Sequence, residues 1–252
     1  FLVPSLIPVS DGSGSSYDTT NLHAKTSRFF FTTATDTDAG MISTRVELDF
    51  LLGAGGDERI SNSWNSRLRH AFVKWDYAEG RSLLAGQSWS TFFNVGALPN
   101  QIDFVGPIGT IFNRQPQIRW TIGGLQLAAE NPATRLNSDI DGSLSTSFDD
   151  FHEGIPDLVA RYNGNMGGLS WTAAGILREL SYDNGDQDDS QMGYGLSLSG
   201  KWMLGKDDLR FMFSYGDALG RYLGLNAFND GYVGADGDID TIDQWGGFVA
   251  YQ

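Results

Sequence analysis

Six arginines fall on the charged side of segments whose other side is apolar: Arg28, Arg45, Arg119, Arg161, Arg178 and Arg210, with Glu47, Asp49, Glu130 and Asp157 among them. A guanidinium stays charged at any physiological pH and offers a rigid fork of donors, which suits carboxylates and other oxyanions. Turned into a water-filled pore, a ladder of such groups selects anions. Two plainer readings stay open, that these are solvated surface charges or that they form ion pairs bracing a wall.

Other chemistry finds little support. There is no cysteine, which excludes a disulfide framework and zinc–thiolate sites. His23, His70 and His152 lack metal-ligand spacing. The run DGDIDTID gathers Asp236, Asp238, Asp240 and Asp243 but lacks the twelve-residue spacing and closing glutamate of a calcium loop. GAGG at 53–56 precedes no helical pattern, and no G-x-S-x-G elbow occurs. No catalytic residue, metal or cofactor is expected, and the protein is not expected to be an enzyme. The net charge of −14 is unsuited to nucleic acid. The acidic residues gather in connecting segments, as at Asp57 and Glu58, Asp139 and Asp141, Asp149 and Asp150, and Asp183 to Asp189. They could hold divalent cations beside lipopolysaccharide, although plain solubility accounts for them as well.

The elements that would carry the arginines are strands. In ISTRVELDF, Ile42, Thr44, Val46, Leu48 and Phe50 share one side, and Ser43, Arg45, Glu47 and Asp49 the other. Successive side chains of a strand point to opposite faces, so each segment has one apolar and one polar face. The pattern recurs and predicts eleven strands, at 20–34, 41–52, 67–77, 81–90, 114–122, 125–131, 156–163, 169–181, 191–203, 208–217 and 241–252. The segments 67–77 and 241–252 have ambiguous parity. Short turns at Asp36–Gly40, Ala78–Gly80, Gly123–Gly124, Asn163–Gly168 and Gly205–Asp208 alternate with long loops at 53–66, 91–113, 132–155, 182–190 and 218–240. Short turns at one rim and long loops at the other mark an up-and-down barrel of the outer-membrane type. Trp75, Tyr77, Trp120, Tyr162, Trp171, Tyr194, Trp202 and Tyr215 stand at or near strand ends, where interfacial girdles belong. No apolar run is long enough for a transmembrane helix. An odd strand count, with a last strand ending in mid-hairpin, predicts a single barrel domain over 1–252 that lacks strands at both ends, because bacterial single-chain barrels close with even numbers.

The loop 91–113 differs from the others. It is apolar where a solvated loop should be polar, so it is expected to fold inward and form a constriction. Asn100, Gln101 and Asp103 would then face Arg45, Arg69 and Arg114. Packing on a neighbouring subunit is the other way to bury it.

The stretch RLRHAFVKWDY, followed by LLAGQSWSTF and ALPNQIDFVGPIGTIFNRQPQIRWT, resembles the DcaP-like family of trimeric outer-membrane porins. FLVPSLIPV, HAKTSRFFF and AGILRELSYDNG extend the likeness over almost the whole chain. The resemblance implies a transmembrane antiparallel β-barrel of about sixteen strands, about eleven of them present here. It also implies a homotrimer in the outer membrane of a Gram-negative bacterium, passing small anions, dicarboxylates especially, through an arginine-lined eyelet. Carried onto this chain, the lining is Arg45, Arg69, Arg114, Arg119 and Arg161. Rival readings are a soluble all-β protein that binds or cleaves carbohydrate, and a structural barrel that conducts nothing.

Overall fold

The computed structural model describes residues 22–51, 56, 57, 61, 63–101, 106–138, 153–224 and 228–252. The described strands in chain order are β1 (Arg28–Thr37), β2 (Gly40–Asp49), β3 (Gly56–Asp57), β4 (Ser63–Trp64), β5 (Arg67–Ala78), β6 (Arg81–Trp89), β7 (Arg114–Ile122) and β8 (Leu125–Glu130). They continue as β9 (Leu136–Ser138), β10 (Asp157–Met166), β11 (Leu169–Asp183), β12 (Asp188–Leu204), β13 (Asp207–Asp217), β14 (Gly231–Val233), β15 (Ile239–Thr241) and β16 (Asp243–Tyr251).

Eleven of these form one antiparallel sheet in the order β1-β2-β5-β6-β7-β8-β10-β11-β12-β13-β16. Each long strand therefore pairs with the long strands before and after it in sequence, which is the up-and-down arrangement. The short strands lie within the long loops: β3 pairs with β4, and β14 joins β15 and β9 in a three-stranded sheet. The two-residue connections all fall at one rim. Glycines in the left-handed region turn the chain there, as at Gly80 (φ 65°) and Gly205 (φ 73°).

Several boundaries differ from those expected. The first strand is Arg28–Thr37, and β10 runs on to Met166, leaving only Gly167 and Gly168 to turn. The loop expected at 182–190 is a four-residue connection, because β11 and β12 stay paired from Asp183↔Asp188 down the whole hairpin. Polar residues at a strand end suggest a loop in sequence, but ladder hydrogen bonds carry these two strands beyond the apolar band. The acidic positions Glu58, Asp139, Asp141, Asp149 and Asp150, and His152, lie outside the described residues.

The alternation sorts as the sequence predicts. On β12, Leu198 is 52% exposed while Ser199 is 1% exposed, and on the paired β13, Phe213 is 54% exposed while Ser214 is fully buried. A sandwich would bury the Phe213 side against a second sheet. Here the apolar side faces outward along successive strands, which requires an apolar surrounding. Two bands of outward aromatic residues bracket it. Trp75, Tyr77, Trp120, Tyr162, Trp171 and Trp202 lie toward the short-turn rim, where Trp120 Nε1 donates to Tyr77 Oη at 2.7 Å. Tyr194, Tyr215 and Trp245 lie toward the other rim. Tyr194 to Trp202 is eight residues of strand. That is about 26 Å of chain, or roughly 20 Å across the membrane at the ~40° tilt usual for such strands, close to the ~25 Å apolar band of outer-membrane barrels.

Leu198 lies midway between these bands. Leu198→Arg is expected to destabilise the inserted protein by about 2–4 kcal/mol, the cost of a cation facing lipid at mid-depth. Urea unfolding in lipid vesicles measures this, and a loss under about 1 kcal/mol would mean that the Leu198 face does not meet lipid.

Candidate functional site

The polar face carries a dense cluster where β2 ends and β5 begins. Arg67 grips Asp49 with both arms, Nε to Oδ1 at 2.9 Å and Nη2 to Oδ2 at 2.8 Å. Arg69 bridges two carboxylates, donating from Nε to Glu47 Oε1 and from Nη1 to Asp49 Oδ2, both at 2.7 Å. Arg45 Nε donates to Glu47 Oε2 at 3.0 Å, and Arg28 Nε lies 3.4 Å from Glu47 Oε1. A register shift between Glu47 and Leu48 makes Arg69 the extra residue of a bulge. Both Arg69 and His70 are consequently buried, while Leu68 points outward. A bulge re-aims side chains in this way, and it accounts for the ambiguous parity of 67–77.

Arg114, the first residue of β7, completes the cluster differently. Its guanidinium lies over the Trp89 ring at 3.6 Å, and Trp89 packs edge-on against Phe93 and Phe112. Cation–π contact holds the group flat but leaves its edge free. Arg114 Nε and Nη2 are buried and have no hydrogen-bond partner among the described residues. Among the described residues of this region, five arginines (Arg28, Arg45, Arg67, Arg69, Arg114) face two carboxylates, Glu47 and Asp49.

The segment after β6 turns onto the polar face and crosses it. Thr91 N donates to Glu130 Oε1 at 2.6 Å, Phe93 O accepts from Arg161 Nη1 at 2.8 Å, and Asn94 Nδ2 donates to Ser199 Oγ at 3.0 Å. Farther along, Leu98 O accepts from Arg210, and Asn100 N donates to Gln252 Oε1 at 2.8 Å. On the way back Gly109 lies so near β16 that a Cβ would sit 2.3 Å from Gly247 N, so only glycine fits. Phe92, Phe93, Ala97 and Ile111 are buried against Val159, Ile176 and Met212 of the wall. The residues expected together are thus split. Arg45, Glu47, Asp49, Arg69 and Arg114 gather at one part of the wall. Arg119, whose charged neighbour is Glu130, and Arg161 stand apart from them. Asn100 is placed at the end of the last strand instead of beside Arg45 or Arg69; Gln101 is exposed, and Asp103 lies outside the described residues.

The model of the DcaP outer membrane protein family matches residues 4–236. The chain belongs to that family. Its place is the outer membrane. Among solved structures, the chain is similar to the outer membrane channel DcaP of Acinetobacter baumannii, with a TM-score of 0.67 at 21% identity over 89% of this chain and 62% of that one. The chain therefore spans less than two thirds of that channel's length. The outer-membrane OmpT of Vibrio cholerae is a distant likeness, 11% identical over 89% of this chain and 95% of that one, with a TM-score of 0.23. No curated protein matches the chain.

In this member of the DcaP family, sequence reasoning placed Arg178 on the polar face without its partners. Arg178 is completely buried. Its Nη1 donates to Asp230 Oδ1 and Ala218 O, both at 2.7 Å, its Nη2 to Ala133 O at 2.6 Å, and its Nε lies 3.7 Å from Asp157 Oδ1. Tyr222 Oη donates to Asp157 Oδ2 at 2.5 Å and accepts from Gln115 Nε2 at 2.8 Å. Burial pushes the Tyr222 phenol well above its ordinary range, so it remains a neutral donor. One guanidinium thereby ties β11 to the segment after β8 and to the loop that carries Asp230. Its hydrogen-bonded partners, 40 to 52 positions away, leave no trace in strand periodicity.

Removing a buried cation strands its carboxylates. Arg178→Met is expected to cost about 3–5 kcal/mol in urea unfolding, with part regained when Asp157→Asn and Asp230→Asn are added.

Proposed function

We propose that this chain forms the wall and the constricting loop of a passive diffusion channel for small hydrophilic solutes, with a preference for anions and for dicarboxylates among them. Solutes move down their gradient, and no catalytic step or cofactor takes part. Arg114 supports the anion preference most directly. A buried guanidinium whose Nε and Nη2 meet no acceptor among the described residues has donors to spare for a carboxylate, next to arginines that outnumber the described acids around them. A second carboxylate on the same solute would find Arg69 and Arg67 close at hand, which favours two-headed anions. Glu47 and Asp49 hold those arginines in fixed poses and temper the field, so that an anion can leave as well as enter. The segment 91–113 narrows the passage, since the buried residues of its described parts lie on the polar face from the start of β7 to β16. The working unit is a homotrimer, in which part of the apolar outer wall meets protein and the rest meets outer-membrane lipid, with lipopolysaccharide around the long loops.

In planar bilayers under a salt gradient, reversal potentials should show anion preference, and Arg114→Gln should lower the anion-to-cation permeability ratio about twofold or more. A cation-selective wild type would refute the preference while leaving the barrel intact. Deleting residues 97–109 should raise single-channel conductance about twofold or more by opening the constriction; an unchanged value would refute the loop's role.

A further inference from the structure

The loop crossing the polar face divides the cations into two tiers. Arg67 and Arg114 each open their strands at the long-loop end. Lys201 and Arg210 face one another across β12 and β13, three residues from the short-turn ends of those strands, and Arg161 lies in the middle of β10. Beneath Asn94 of the loop, this second tier borders a cavity of about 290 Å³, walled by Arg161, Asn163, Asn165, Ser170, Trp171 and Lys201. Such a space holds about ten waters at roughly 30 Å³ each, or one small organic acid.

The cavity's described lining carries the cations Arg161 and Lys201 among otherwise neutral residues. Arg161 has only neutral partners among the described residues: Asn163 Oδ1 at 2.8 Å, Phe93 O at 2.8 Å and, more loosely, Thr172 Oγ1 at 3.5 Å. Its charged neighbour is Arg119, another cation. Lys201 Nζ lies 3.2 Å from Asp208 Oδ2, but Asp208 Oδ1 also accepts from Arg210 Nε at 2.8 Å, so one carboxylate serves two cations. An ammonium carries three donors, and Asp208 engages one of those on Lys201. Next to it in the sheet stand groups that bind hydroxyls. Ser170 is the register partner of both Lys201 and Asn165, and Ser170 Oγ donates to Asn165 Oδ1 at 2.7 Å.

The geometry points to a second anion subsite on the short-turn side of the loop, which takes a hydroxylated monocarboxylate such as a sugar acid. Its carboxylate meets Lys201, its hydroxyls meet Ser170 and Asn165, and Arg161 supplies the attracting field. The site rests on the channel reading above: a solute that passes the loop is received by a weaker second site before release, as conduction through successive sites requires.

Lys201→Gln tests it with little risk to the fold, since Asp208 keeps Arg210 and the loop's anchors are untouched. The full channel in planar bilayers, with gluconate added on the short-turn side, should show current interruptions that give an apparent Kd. Glucose should give none. Lys201→Gln should raise that Kd about tenfold, the weight of one charge-assisted contact. Asn165→Ala should raise it about threefold for gluconate and leave acetate unchanged, because acetate has no hydroxyl to lose. Gluconate affinity that is the same in both variants and the wild type, or no gluconate interruption in a conducting wild type, would overturn the subsite alone. A wild type that passes no current would overturn the channel reading with it.

Discussion

Within hydrocarbon a backbone amide has no water to turn to, so every N–H and C=O of the wall must find its partner in a neighbouring strand. The ordering of the sheet follows from this requirement. Each long strand pairs with its sequence neighbours in ladders, from Arg28↔Asp49 on β1 and β2 to Leu209↔Tyr251 on β13 and β16. Once the ladders are fixed, side chains have only two directions. Leucine, phenylalanine and tryptophan take the lipid side, and arginine, glutamine and serine the other. The functional side chains are thus positioned by a rule that is indifferent to function.

Charges on the inner side cannot be left to chance, because a buried ion without partners is costly. The wall meets that demand in two different ways. Around Arg178 the charges are closed off: Asp157, Asp230 and Tyr222 surround the guanidinium, and the result is a bracket that joins wall and loops. Around Arg114 they are less closed, with an aromatic face for support and edge donors that meet no acceptor among the described residues. One arginine is enclosed by acceptors and the other keeps donors to spare, and the difference lies entirely in what surrounds it.

The fold was largely legible because alternation is a local property. Leu198 beside Ser199, or Ile118 beside Gln117, declares its face from sequence alone, and glycine-marked turns declare the hairpins. Boundaries were less clear where polar residues extend a strand, as at Asp188 and Asp189. The site was legible only as a set of inward arginines. Arg69 and His70 sit at a bulge, where two consecutive residues share a face and the period-two rule fails locally. Asn100 could be assigned to an inward loop but not to a place along it, since its contact with Gln252 depends on how far the loop travels. Asp230 reaches Arg178 through a loop path that no periodicity encodes.

The wall holds the inward loop largely by its main chain. Arg161 and Arg210 bind the carbonyls of Phe93 and Leu98, and Gly109 lies backbone to backbone on Gly247. A carbonyl is present whatever residue bears it. The loop therefore behaves like a cartridge in a fixed socket: its polar side chains can be exchanged over evolutionary time while the barrel around it needs no redesign.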